Sequence, residues 1–238
     1  AASGAYMLVD VNVSNARLFH YAMSIRIPKL IVMIITAFAI GGASLVFQSV
    51  INNTIVTPCL LGMNSLYTLI NTAVVFFAGS GSLLAVNANA SFAVDLVIMA
   101  AAAGMIYSYF FKMTKHNVLY VLLIGTVLTS LFSSIQSTLI RVMDPNEYDN
   151  LLSTLVASFS NVNSEIILFS LLVLAGVIFG LRRELALLNV LILGKDQAIN
   201  LGVDYDSCIR RLLFGVALCI AVATAMVGPI SFLGLIIA

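Results

Sequence analysis

The side chains able to do covalent or metal chemistry are few in this chain, and they are far apart. Its three cysteines, Cys59, Cys208 and Cys219, are odd in number and show no metal-ligand spacing. Cys219 lies in an apolar run, so all three read as small apolar or loop residues rather than as a disulfide or a metal site. The two histidines, His20 and His116, are solitary, and no Ser, Cys or Asp falls beside them in the manner of a nucleophilic triad. No Gly-rich loop ending in Lys-Ser/Thr is present to cradle a nucleotide phosphate. One carboxylate, Asp95, sits early in an apolar segment. Ionisable groups at such places face a bundle interior or water, so Asp95 is either functional or an interfacial carboxylate at the segment end. This pattern predicts neither catalysis nor a resident cofactor.

The elements that carry these residues are more informative. The chain has 238 residues, of which 61% are hydrophobic and 9% charged, with a mean hydropathy of +1.11. Soluble domains carry about 25% charged residues. A chain this poor in charge cannot cover a water-exposed surface. Its net charge of +1 gives no footprint for nucleic acid. Apolar blocks near the length of about 20 residues needed to cross a bilayer predict an all-α polytopic bundle. Six spans are expected, at roughly 30–50, 62–79, 91–111, 118–140, 165–181 and 209–227, with a seventh starting near 230. The residues before Ile25 read as a polar, irregular lead-in, and Pro28 as the first turn of the first span, where its missing N–H costs nothing.

The connecting segments differ in charge. Lys112 and Lys115 lie in 112–117, and Arg182, Arg183, Lys195, Arg210 and Arg211 lie in 182–211. Arg17, Arg26, Lys29 and Arg141 are left for the other side. The excess of Lys and Arg puts 112–117 and 182–211 in the cytoplasm. Segment 141–164 is then an outer loop. Its Asp144-Pro145 start, followed by Glu147 and Asp149, predicts a short amphipathic helix through Leu151, Leu152, Leu155, Val156 and Phe159. Segment 184–208 holds an apolar stretch too short to span, ended by Gly194, and then "KDQAINLG" closed by Gly202. It reads as paired helices under the membrane, resting on lipid or docking a cytoplasmic partner.

Here the residues fall into a known pattern. "LGKDQAINLGV", carrying Leu193, Gly194, Ala198, Leu201, Gly202 and Val203, resembles the "LGxxxAxxLGV" cytoplasmic segment of permeases from ATP-binding-cassette importers for iron–siderophores, haem and cobalamin, the FecCD family. "GPISFLGLII", from Gly228, is similar to that family's "GPIxFxGLIxPH". "RIPKL" is similar to its "RLPR", and Asn53, Pro58, Leu60, Leu61, Gly62 and Ser65 match its "RNPLADPxLLGVS". Met63, Asn64, Leu66 and Tyr67 depart from it. The ordered set runs along almost the whole chain.

The resemblance implies that the whole of 1–238 is one transmembrane permease domain without catalytic residues. It also implies the partners: separate ATP-hydrolysing subunits, a second permease subunit, an extracytoplasmic substrate-binding protein and an iron–siderophore or related chelate, in the bacterial cytoplasmic membrane. By the same resemblance, Leu193, Gly194, Lys195, Asp196, Ala198, Leu201 and Gly202 form the ATPase-coupling segment, with Lys195 and Asp196 at its rim. Arg26 and Lys29 face acidic residues of the binding protein, or anchor on lipid phosphate. Gly62, Asn64 and Ser65 lie in a cytoplasmic loop resembling a gate. Gly125, Thr126 and Thr129 sit on the pathway-lining helix. Gly228-Pro229 turns the chain back into the membrane on the outer side. Relatives of this kind carry further helices at both ends, so the chain is expected to be a piece of a longer permease. Two other classes compete: an ion-coupled secondary transporter, which needs ionisable groups at mid-span, and an intramembrane enzyme, which needs a reactive constellation at depth.

Overall fold

The computed structural model describes residues 16–54, 56–82, 87–106, 109, 118–159, 164–230 and 233–237, and among them every regular element is helical. The lead-in at 1–15, the basic segment 112–117 and Phe232 lie outside the described residues.

The first helix, α1, spans Ala16–Ile51 with Pro28 inside it. This corrects the expectation of an irregular lead-in up to Ser24 and of Pro28 in a first turn. Residues 16–27 contain no Gly or Pro, so nothing in them stops a helix. Proline removes only one intrahelical bond, the one to the carbonyl four residues earlier. At 1.5 Å per residue α1 is about 54 Å long, well beyond the roughly 30 Å hydrocarbon layer. Its early turns therefore project out of any bilayer that its apolar part crosses. Val32, Thr36, Ala39, Ile40, Ala43, Phe47 and Val50 are buried along it, at the three- and four-residue steps that make one helix face. Ile34, Phe38 and Leu45 stay exposed on the other side.

A stretch ending in a 3-10 turn, Pro58–Leu61, leads to α2, Met63–Ala78, and then α3 runs over Ala88–Met105. Asn87 caps α3 by accepting from the N–H groups of Asn89 and Ala90. Next come α4, Val118–Val142, the short α5, Pro145–Leu155, and α6, Ser164–Gly180. Asp144 caps α5 by accepting from the Asn146 N–H at 2.9 Å, and Leu151 is fully buried beneath it. Three short helices come next: α7 (Arg182–Ala186), α8 (Leu188–Leu191) and α9 (Lys195–Asn200). The chain then enters α10, Tyr205–Val227, and α11, Leu233–Ile237.

Helix α10 is the centre of the bundle, packed against α1, α2, α3 and α6, while α4 packs on α2 and the 3-10 turn. Small residues set these distances, as they must where lipid removes the hydrophobic drive between helices. A Cβ on Gly215 would collide with Leu181, and one on Gly234 with Ser44. Among the described residues four helices, α1, α3, α4 and α10, are long and apolar enough to cross a membrane, and α2 and α6 are shorter apolar helices.

Candidate functional site

The residues expected to form a gate come together, but through helices rather than a loop. Gly62 has φ +82° and joins the 3-10 turn to α2. A Cβ there would lie 3.1 Å from Thr129 Oγ1 and 3.4 Å from the Gly125 carbonyl oxygen. Glycine is required twice over, for its backbone and for the space. Asn64 and Ser65 belong to the first turn of α2.

From Gly62 a small and polar seam follows the α2–α4 contact. Thr129 Oγ1 donates to the Gly125 carbonyl at 2.8 Å. Ser133 and Ser65 hydroxyls are 3.4 Å apart, and Thr68 Oγ1 donates to Gln136 Oε1 at 2.9 Å. Contacts therefore advance in step along both helices, so the two run parallel. The level of Gly62 on α4 is about 10–17 Å above that helix's first residue at 1.5 Å per residue.

The same turn meets the end of α10. Thr224 Oγ1 donates to Asn64 Oδ1 at 3.3 Å, and Cys59 Sγ lies 3.4 Å from the Ile230 carbonyl. This corrects the placement of Gly62–Ser65 and of Gly228-Pro229 at opposite faces: two segments in contact cannot be a membrane apart. The two positive-φ glycines, Gly62 and Gly228 (φ +96°), lie close to one another's neighbours. The Val227 carbonyl also accepts from the Ser158 N–H at 2.7 Å, which ties the segment after α5 to this junction.

Thr126, unlike Gly125 and Thr129, points away from the seam. It begins an exposed ladder of Thr126, Ser130, Ser134 and Thr138 on α4. Each hydroxyl donates to a backbone carbonyl of its own helix, at 2.8–3.1 Å. A face of this kind is polar, yet its donors are already satisfied.

Asp95 faces inward and is 3% exposed. Asn71 Nδ2 donates to both its oxygens at 3.2 and 3.4 Å and to the Tyr67 carbonyl at 3.1 Å, and Ser91 Oγ lies 3.5 Å away. Asp95 is a buried polar link between α2 and α3. Arg26 and Lys29 are half-buried within α1 rather than ahead of it.

At the other end of α10, Gly194 (φ +96°) and Gly202 (φ +81°) bracket α9. Ala198 is fully buried, whereas Ile192, Leu193, Ile199 and Leu201 are 42–62% exposed. Four large exposed apolar side chains around two tight turns form a patch of the kind that marks a protein or membrane contact. Asp196 is exposed beside them. Lys195 is already engaged by Asp206, with Nζ 3.0 and 3.1 Å from the two oxygens. Glu184 is buried and accepts from Arg211 Nη1 at 2.9 Å, and that bond holds its carboxyl below the usual carboxylate range.

Reading from sequence misses Thr68, Ser133, Gln136, Asn71 and Thr224. A signal for the first three is present: Ser65 and Thr68 on one helix, and Thr129, Ser133 and Gln136 on the other, recur at helical spacing. Asn71 and Thr224 have only one polar partner each across a helix contact, and no periodicity announces that.

Comparison with known proteins places this geometry. The FecCD transport family matches residues 5–238. A petrobactin import system permease protein, YclO of Bacillus subtilis, is 37% identical over 219 residues, covering 91% of this chain and 69% of the relative. Its counterpart FatC of Bacillus anthracis is 32% identical, covering 90% of this chain and 60% of the relative. A solved structure described as an inward-facing conformation of a metal-chelate type ABC transporter superposes with a TM-score of 0.81 at 22% identity, over 99% of this chain and 74% of that one.

Proposed function

The chain belongs to the FecCD transport family, and on that footing we propose that it is the membrane-spanning permease of an ATP-binding-cassette importer that carries a ferric siderophore inward. The observation that carries this reading is the pairing of two features on one helix. One end of α10 adjoins the exposed apolar docking patch around Gly194 and Gly202. The other reaches the junction of the Gly62 and Gly228 turns. A docking patch at one end of a helix and a breakable junction at the other is what an externally powered gate requires.

In this reading α1, α2, α3, α4, α6 and α10 are six spans and α11 starts a seventh. Helix α2, of 16 residues, is about 24 Å long, and the re-entering stretch before Gly62 makes up the remaining depth. The exposed ladder on α4 lines the pathway opposite a second permease subunit. Ile192, Leu193, Ile199 and Leu201, with Asp196 at the rim, seat in the ATPase subunit. Arg26 and Lys29 meet an acidic surface of the substrate-binding protein. The similarity to two petrobactin import permeases supports petrobactin or a related ferric siderophore as cargo. Asp95 is paired with Asn71 rather than facing a channel, which weighs against ion-coupled transport.

The test is co-purification. The permease should retain its ATPase subunit through detergent purification, and Leu193→Asp with Leu201→Asp should abolish retention while leaving the permease folded. Retention unaffected by both changes would remove the docking assignment. Substrate uptake in the absence of any ATPase would remove the functional reading.

A further inference from the structure

Beside the docking patch, the last turn of α1 borders a recess of about 550 Å³. Gln48, Ser49, Asn52, Asn53 and Thr54 line it from α1 and the residues just after, and Ile192 lines it from the docking segment. Helix α8 packs on α1 at the same end. No described charged side chain lines the recess. Gln48 is only 7% exposed, yet its carboxamide has no hydrogen-bond partner among the described residues. Unlike the unpaired hydroxyls of Thr36, Ser44 and Ser170, which are enclosed, this amide opens on the recess it lines. Buried polar groups are ordinarily paired, so Gln48 points to an occupant.

The helix gives the sign of that occupant's charge. The last four carbonyls of an α-helix have no partner within it, and together they carry about half a negative charge. In α1, which ends at Ile51, the Asn53 N–H answers one of them, the Gln48 carbonyl, at 3.2 Å. No basic residue stands in the last turn to answer the others. Asn52, with φ +55°, turns the chain away just past them. The carboxamide and hydroxyl oxygens around them are further neutral acceptors. Such a site favours a cation that carries several N–H donors. The recess is also far larger than the roughly 30 Å³ share of one water, so a bare ion would leave most of it unfilled, whereas a long basic side chain would not. Through Ile192 it is continuous with the docking patch, so a surface that seats on the patch also covers the recess.

We propose that the recess receives a basic side chain, lysine or arginine, of the ATPase subunit, which caps the C-terminal end of α1. Gln48 is its buried acceptor, and the exposed Asn52 and Thr54 are at the rim. The ATPase is then held by an apolar contact at the patch and by a charged contact at α1. The inference rests on the permease reading and adds to it the chemistry of one partner group.

The experiment measures binding of the ATPase subunit to the purified permease assembly in detergent, at low and at high salt. Gln48→Lys puts a like charge in the recess and should weaken binding about tenfold or more, the worth of a hydrogen bond to a charged group. Gln48→Glu, of nearly the same shape, should tighten binding severalfold at low salt, and the gain should fade as salt rises. Unchanged binding in Gln48→Lys overturns the proposal, and so does the lack of any gain in Gln48→Glu. Separation of the permease subunits by Gln48→Lys, with ATPase binding to each intact, would overturn it in favour of a second permease copy. Weaker binding when sodium and potassium are replaced by a bulky organic cation would overturn it in favour of a free ion. Should Gln48→Lys fail to fold, as judged by thermal unfolding, Gln48→Glu decides alone. Failure of the permease reading shows elsewhere, as ATPase binding that survives Leu193→Asp with Leu201→Asp, whereas failure of this inference shows only at Gln48.

Discussion

Helices α10 and α4 are both long and apolar, yet 61% of the apolar stretch of α10 is buried and only 6% of that of α4. Hydropathy does not separate them. Side-chain size and hydroxyl placement do. Helix α10 carries Gly215, Ala217, Ala221 and Ala223 among its buried positions, so neighbours on several sides approach its backbone closely. Helix α4 keeps Leu123, Val127, Leu131 and Ile135 exposed beside hydroxyls that already bond its own carbonyls. The first composition suits a central strut. The second suits a wall that faces something outside this chain, whether water, cargo or a second subunit.

Changes that treat the two helices alike should break the comparison if it is wrong. The largest difference is expected from Ile220→Ala on α10, a side chain 1% exposed, which should cost about 2–5 kcal/mol by leaving a cavity. Leu131→Ala on α4, 49% exposed, should stay within about 0.5 kcal/mol. Thermal unfolding in detergent measures both, and equal losses would deny the strut and the wall. A smaller effect is expected at the end of α10. Gly228 has φ +96°, and a Cβ there would lie 3.1 Å from the Ala157 Cα, so Gly228→Ala should cost about 1–3 kcal/mol of backbone strain and lower uptake with it.

The wall itself gives a sharper contrast. Thr126→Val with Ser130→Ala should leave the melting temperature unaltered while lowering uptake severalfold, because these hydroxyls are exposed and bond only their own helix. Unaltered uptake would take α4 out of the pathway. The smallest expected effect is pH-dependent. Arg211 holds the Glu184 carboxyl below its ordinary value, so its stabilisation is fully present above the unfolded value of about 4.3 and is lost as pH falls through the lower native one. The stability gap between the unmodified protein and Glu184→Gln should therefore be constant from neutral pH down to that region, and then close.

Much of this is legible in the sequence for physical reasons. Composition alone specifies a membrane bundle, and Asp144-Pro145 and the Gly194–Gly202 bracket are local signals that fold as they read, except that the helix after Pro145 ends at Leu155 and leaves Val156, in extended backbone, and Phe159 outside it. The start of α1 is not legible, because a proline suited to a first turn is also tolerated within a longer helix. Nor is the depth of Gly62, because a connection built around Pro58 and Gly62 has the same sequence at a surface as when it re-enters the bundle. The meeting of Asn64 with Thr224 spans 160 residues, and no local pattern encodes it. The Glu184–Arg211 pair looks like ordinary cytoplasmic charge in the sequence, since burial of one carboxylate depends on how α7 folds back on α10.

The central claim is that this chain moves a ferric siderophore using energy from a separate ATPase. Proteoliposomes holding the complete transporter, loaded with ATP on the ATPase side and given binding protein with radiolabelled ferric siderophore on the other, test it most directly. The expected result is accumulation that requires ATP, the ATPase subunit and the binding protein together. Accumulation that persists without the ATPase, or that tracks an imposed ion gradient instead, would contradict it.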